Sequence, residues 1–451
     1  MSKVCWNEID KEKAYDFADG YISFLNSSKT ERLCTETSLE LAKISGFKCI
    51  SEFDSLKSGD KVYKINRDKS IALAIIGKTL PKDGFNIVAA HIDSPRIDLK
   101  PNPVYEDLEL ALFKTHYYGG IKKYQWTAMP LSLIGIVIKE DGSKINIAIG
   151  EDETDPVFTI TDLLPHLAAE QMAKKMSEAF TGEDLNALIG SIPNDSEKDA
   201  VKENILNLIK EKYGFDEEDF VSSELELVPS IKARNIGFDS SLVGSYGQDD
   251  RVCAYTSLSA ILDTENPERT CVCYLADKEE IGSMGSTGTK SMFLESFLAK
   301  LIYLTKDNYS DMDLKDAFEK SFCFSADVTA AYDPTYKSVC EALNSAYVGG
   351  GLCLCKYTGA RGKSSTSDAN AEFVAKTRGI FNANGVKWQI AELGKVDQGG
   401  GGTVAQYIAN LNIETLDCGV PILSMHSPFE VASKADIYMG YIGYKSFLEN
   451  A

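Results

Sequence analysis

The stretch Asn86-Ile87-Val88-Ala89-Ala90-His91-Ile92-Asp93 decides how the rest of the chain is read. A strand-sized apolar run ends on an imidazole, and a carboxylate follows two positions later. Upstream, Ile71 to Ile76 forms another apolar run, and Pro81 to Gly84 supply a turn between the two, which predicts two neighbouring strands. The same arrangement recurs: Cys271 to Leu275 precede Glu279 and Glu280, Phe322 to Ser325 precede Asp327, and Val420 to Leu423 precede His426. Leu352 to Cys355 form one more such run, and helical stretches separate them all, the pattern of an α/β sheet. Open α/β sheets bind ligands beyond the carboxyl ends of their strands, so one crevice would gather these polar side chains from distant parts of the chain.

Outside these runs, Lys11 to Leu25 and Ser38 to Ile44 read as amphipathic helices of an outer layer. Between Asp98 and Ile231 the texture changes. Leu131 to Lys139 and Lys144 to Ile149 flank the turn Glu140 to Ser143, a hairpin signal, and a helix-rich acidic stretch follows. Its clearest helix runs from Glu197 to Tyr213, with Val201, Ile205, Leu208 and Ile209 on one face, Asp195 or Ser196 as cap and Gly214 as stop. A chain of 451 residues exceeds the usual size of one core, so residues 1–97 with 232–451 are expected to form the catalytic domain, and 98–231 an insert.

Composition narrows the function. The hydrophobic share of 44% and charged share of 25% are those of a globular enzyme. A net charge of -20 argues against nucleic acid or an anionic membrane as partner, since phosphate binding needs local positive charge. Eleven cysteines occur without a Cys-x-x-Cys pair, and Cys271/Cys273 and Cys353/Cys355 alternate as buried strand residues would. A reducing, cytoplasmic setting follows. No apolar stretch of signal-peptide length follows Met1, and the longest apolar runs are too short to span a bilayer.

Residues two apart on an extended segment share a side, so Asp93 can reach His91 and fix the ring that a metal would use. Glu279 and Glu280 are adjacent and diverge: one could ligate a metal while the other takes a proton from activated water. In Gly247-Gln248-Asp249-Asp250-Arg251 a carboxylate could bridge two cations with its two oxygens. Each motif also has a plain structural reading: a satisfied core histidine, a solvated acidic turn, a helix N-cap. Gly399 to Gly402 and Gly282, Gly285 and Gly288 mark close backbone approach. Gly362-Lys363-Ser364 fails the phosphate-loop pattern, because Tyr357 stands where the first glycine belongs. No His-Glu-x-x-His and no Gly-x-Ser-x-Gly occur. Of the four histidines, His116 reads as structural, and His166 begins an expected helix of the insert.

Taken together, Ala90-His91-Ile92-Asp93-Ser94-Pro95-Arg96, Gln248-Asp249-Asp250-Arg251, Asp277-Lys278-Glu279-Glu280-Ile281-Gly282-Ser283, Ser325-Ala326-Asp327 and Met425-His426-Ser427 resemble the aspartyl-aminopeptidase family, in the family's order over most of the chain. The resemblance implies an α/β fold of zinc-exopeptidase type, a central mixed sheet flanked by helices, with a β-rich and helical dimerisation domain inserted. It implies two zinc ions: His91 and Asp327 on one, Glu280 and His426 on the other, Asp249 bridging. Cobalt or manganese would also suit these donors. Glu279 would be the general base and Asp93 the orienting partner of His91. His166 would contact substrate or oxyanion, or add a metal ligand, and Lys356 would recognise acidic side chains. The substrates implied are peptides with a free N-terminus, and the assembly a homo-oligomer, a dodecamer built from dimers. Asp250 and Arg251 after Asp249 match bacterial relatives and glutamyl-aminopeptidase-like enzymes, whereas eukaryotic members tend to have asparagine next, which leaves the preferred N-terminal residue open. An N-deacylase or carboxypeptidase with the same centre is the alternative within the enzyme class. A catalytically inactive assembling scaffold is the alternative outside it.

Overall fold

The computed structural model describes residues 4–451. The chain forms two compact units, one of residues 1–93, 233–425 and 429–451, the other of residues 94–232 with 426–428.

The larger unit is built on a mixed sheet of nine strands. Its middle is four parallel strands, in the order Thr270–Ala276, Phe85–His91, Phe322–Ser325 and Glu414–Gly419. Antiparallel strands adjoin both sides: Ser70–Ile75 beside Thr270–Ala276, and Leu352–Cys355 beside Glu414–Gly419. Alternating side chains serve two cores. Leu73, Val88, Cys273 and Leu275 face the helices Lys11–Ser27, Gln248–Leu262, Ala371–Ala383 and Lys434–Asn450. Ala74, Ile87, Val272 and Tyr274 face Phe293–Thr305 and Asp311–Glu319. Each fully buried Leu, Ile or Val contributes about 1.5–3 kcal/mol relative to exposure, so these two layers hold the sheet rigid beneath its carboxyl edge.

Three expectations change here. The strands at 70–75 and 85–91 are not neighbours, because Thr270–Ala276 inserts between them, antiparallel to one and parallel to the other. The run Val420 to Leu423 does not enter the main sheet: Pro421–Leu423 belongs to a separate five-stranded sheet with Glu430–Ser433, and Glu414–Gly419 takes the central place. The second helix is longer than its apolar pattern, Glu31–Ile44, because Thr30 caps it by accepting the Leu33 N–H.

The smaller unit carries a seven-stranded, wholly antiparallel sheet, including the hairpin Leu131–Ile138 and Lys144–Ile149. The stretch after that hairpin is poorer in helix than expected, with Ala169–Ala173 and Met176–Ala179 only five and four residues long. The long helix starts at Ala200, and neither Asp195 nor Ser196 caps it. Asp199 precedes it at φ 50 without a side-chain cap, and Glu106 of the neighbouring strand accepts the Val201 and Lys202 N–H groups, each at 2.9 Å. A remote carboxylate thus satisfies two of the exposed donors of the helix start. Gly214 ends the helix at φ 80, a conformation that favours glycine. All eleven cysteines are free, and among the described residues no helix is long and apolar enough to cross a membrane.

Candidate metal centre

His91 is the last residue of its strand, paired across to Ala276, and Ser325 pairs with Ala89 one strand further on. The segments leaving these strands, with Glu279, Glu280 and Asp327, therefore open on the same edge of the sheet. The ring of His91 is 1% exposed and held at both nitrogens. Nδ1 lies 3.3 Å from Asp93 Oδ1 and 3.0 Å from the Asp93 carbonyl, so it carries the proton. Nε2, the nitrogen left for a metal, faces Asp249 Oδ1 at 3.2 Å and Asp327 Oδ1 at 3.9 Å.

Asp93 does more than orient the ring. Its two oxygens accept the backbone N–H groups of Glu279 and Glu280, at 3.1 and 3.2 Å. That fixes the single 3-10 turn Glu279–Ile281, which is bracketed by left-handed Lys278 and Gly282 at φ 67 and 89. The two glutamates diverge as adjacency requires. Glu279 has an oxygen within reach of His91 and Asp327, and Glu280 within reach of His91 and Asp249. A third group joins Asp249, Asp250 and Asp327, the ligand atoms in each lying within 4.8 Å of one another.

The acids of Gln248 to Arg251 do not cap their helix. Gly247 occupies the cap position, and Asp249 and Asp250 have non-helical backbone angles, joined by a cis peptide. This backbone leaves the Asp249 carboxylate on His91, with its N–H donated to Glu430 Oε2 at 3.1 Å. Asp250, fully buried, accepts the His91 N–H at 3.2 Å through Oδ2.

So many buried acids demand positive charge. Burial pulls the His91 pKa down, but hydrogen bonds to Asp249 and Asp93 and the charges of Asp250 and Asp327 outweigh it and hold the ring well above its ordinary value. Burial, then the Asp249 charge, pushes Asp250 well above the carboxylate range. Burial, then Asp250 and Glu279, does the same to Asp327. Asp250 Oδ1 is buried with no hydrogen-bond partner among the described residues. One imidazole nitrogen among several carboxylate oxygens, short of cations, is a donor set that zinc and similar divalent ions fit.

The other sequence candidates are not among the residues of these three groups. His426 groups with the smaller unit, its Nδ1 2.7 Å from the Gly120 carbonyl. His166, also in that unit, sits exposed in a turn before Ala169–Ala173 rather than beginning a helix. Lys356 is ion-paired to Asp368 at 3.0 Å. His116 is exposed on the strand Leu110–Tyr118. The glycine quartet serves packing: a side chain at Gly400, φ 115, would meet Ala360 Cα at 2.5 Å.

Sequence reasoning read Asp250 only as a possible helix cap and gave Asp277 and Glu430 no role of their own. Asp277 is buried, accepts the Thr287 hydroxyl at 2.5 Å, and is pushed up to about 7 by burial and then by Glu31 and Asp93. The available signal was an acid directly against an apolar strand, at Asp277 after Ala276 and at Glu430 before Val431 and Ala432.

Comparisons with known proteins bear on the family and the fold. Residues 24–448 match the family described as aminopeptidase I zinc metalloprotease (M18). A probable M18 family aminopeptidase 1 of Clostridium acetobutylicum is 50% identical over 457 residues, covering 99% of this chain and 98% of that protein. The crystal structure of an M18-family aminopeptidase from Thermotoga maritima superposes with a TM-score of 0.96 at 47% identity, covering 99% of both chains. That of aminopeptidase I from Clostridium acetobutylicum gives 0.93 at 47% identity, covering 100% of both.

Proposed function

The chain belongs to M18, the aminopeptidase I family of zinc metalloproteases, and from that premise we propose how its residues divide the work. It is a metal-dependent aminopeptidase, a hydrolase of peptide bonds. His91, Asp249, Glu280 and Asp327 would hold two zinc ions, and cobalt or manganese would suit the same donors. His426 keeps the ligand role, and His166 the substrate or ligand role, that the family resemblance gives them. Bound zinc supplies Lewis acidity, polarising the scissile carbonyl and lowering the pKa of water.

The protein's own part is positioning and proton transfer. Glu279 takes a proton from the attacking water and returns it to the departing amine. Asp93 keeps the His91 proton on Nδ1, and through the Glu279 and Glu280 amides it sets the distance between base and ligands. Site carboxylates hold the free α-amino group of the substrate, which confines cleavage to the first peptide bond. Lys356 favours acidic first residues, in competition with Asp368 for its ammonium. The observation that carries this reading is the His91 ring, held by Asp93 on one nitrogen and facing Asp249 and Asp327 with the other.

The chain acts in the cytoplasm as a homo-oligomer, dimers of the 98–231 insert assembling to a dodecamer. Exposed Leu163, Leu164, Leu167, Met172 and Met176 in that insert support an interface there. Elemental analysis combined with aspartyl, glutamyl, leucyl and lysyl anilides tests the catalytic reading, with N-acetyl-leucyl anilide as control. Bound zinc and free-amine substrates turned over at least a hundredfold faster than the blocked one are expected. Release of acetate from the blocked substrate, with its anilide bond left intact, would point to a deacylase.

A further inference from the structure

The helix Gln248–Leu262 starts without a cap of its own: Gly247 holds the cap position and has no side chain to accept the amides of the first turn. The two acids of that turn, Asp249 and Asp250, are of the kind that bond such amides themselves. The Asp249 N–H goes instead to Oε2 of Glu430, 3.1 Å away on the strand Glu430–Ser433, and the Asp249 carboxylate stays on His91. Glu430 is buried, and its backbone is held at two points. It pairs with Ser245, two residues before Gly247, and its carbonyl accepts the Gln248 side-chain amide at 2.6 Å. That amide also donates to the Val243 carbonyl at 3.1 Å, and its oxygen accepts the Tyr21 hydroxyl at 3.3 Å. Helix start, strand and the outer helix Lys11–Ser27 are thereby tied together directly behind Asp249.

We propose that Glu430 is a positioning residue of the metal centre, holding the Asp249 carboxylate in place for zinc by taking the Asp249 amide, a role that rests on Asp249 being a ligand. Denied this acceptor, the amide forfeits its hydrogen bond unless another oxygen turns to it. The carboxylates of Asp249 and Asp250 lie in the same turn, so either a site acid swings onto the backbone or the turn shifts against the strand. Each movement disturbs the oxygen that faces His91 Nε2 at 3.2 Å, and metal sites accept ligand distances within only about 0.2 Å of their usual values. Reach is what matters at position 430. A glutamine there extends as far and offers an amide oxygen, whereas an aspartate keeps the charge and falls short by one methylene.

The intact protein is freed of metal with a chelator, and its affinity for added zinc is measured by competition with a chelating dye. Glu430→Gln, Glu430→Asp and Asp249→Asn are compared with the parent, and kcat and KM for leucyl anilide are measured alongside. Glu430→Asp should bind zinc about 10–100-fold more weakly than the parent, and Glu430→Gln within about threefold of it. The same order is expected in kcat, with KM little changed. An equal loss in both Glu430 variants would assign the effect to the charge, not to the placed oxygen, and would overturn the proposal. Parent affinity in Glu430→Asp, with zinc lost in Asp249→Asn, would overturn it as well and leave Asp249 as a ligand. Parent affinity in Asp249→Asn would overturn the ligand role of Asp249 and, with it, the role of Glu430.

Discussion

Asp93 shows how much one side chain settles. The same carboxylate holds the His91 ring and the two amides of the Glu279–Glu280 turn, so replacing it disturbs both ligand and base. Asp93→Asn keeps the size but offers one acceptor oxygen where two are used. It is expected to weaken zinc binding roughly 10–100-fold, read by competition with a chelating dye, and to lower kcat as well. Glu279→Gln separates the functions: kcat should fall by about 10²–10⁴ while zinc content stays within the scatter of the parent protein. Loss of metal in that variant instead would exchange the roles of Glu279 and Glu280. His91, Asp93, Asp249, Glu279, Glu280 and Asp327 were legible because each sits just past an apolar run or in a short acidic motif. Asp250 was legible only as a possible cap, since the non-helical backbone that turns it to the His91 amide is not visible in residue types.

Elements read well where their signal is local and poorly where it is not. The hairpin of the smaller unit followed from period-two apolar sequence around a turn. The partner of Phe85–His91 could not follow, because Thr270–Ala276 arrives from far along the chain, and sheet order is a long-range property. The start of the 200–213 helix was misread for the same reason, its cap being Glu106 from another strand. Glu106→Ala should therefore destabilise the protein by about 1 kcal/mol, read as a lower urea midpoint with an unchanged slope. A second test lies in the main sheet, where Asp417 stands beside Ser325 and Cys355 and accepts the Thr403 hydroxyl at 2.6 Å. Burial pushes it from 3.8 up to about 6. The folded state thus binds its proton more tightly than the unfolded chain. The stability this gives is full below pH 3.8 and is lost as pH rises through about 6. Relative to Asp417→Asn, the parent protein should lose up to roughly 3 kcal/mol between pH 4 and pH 7.5, measured by urea unfolding at both. Equal differences at the two pH values would show that Asp417 is ionised throughout.

At the scale of the whole molecule, the buried acids make metal occupancy and proton occupancy exclusive. Zinc binding to chelator-treated protein should release protons near neutral pH, seen as a calorimetric heat that varies with the ionisation enthalpy of the buffer, and should raise the thermal midpoint. A heat independent of buffer would mean the cluster is already deprotonated. The α/β class was readable from alternation and strand-end acids alone. The five-stranded second sheet was not, since its strands are as short as two residues. The position of His91 in that architecture also bears on how the polypeptide is made. Its strand lies between Thr270–Ala276 and Phe322–Ser325, neither of which exists when it leaves the ribosome. At ~5–20 residues per second, the roughly 230 residues from His91 to Ser325 take on the order of 10–50 s to synthesise. The contiguous 94–232 segment, whose strands pair among themselves, is complete well before then. A nascent chain of this protein accordingly carries a finished insert beside an apolar strand with both edges bare, the condition in which chaperone capture matters most.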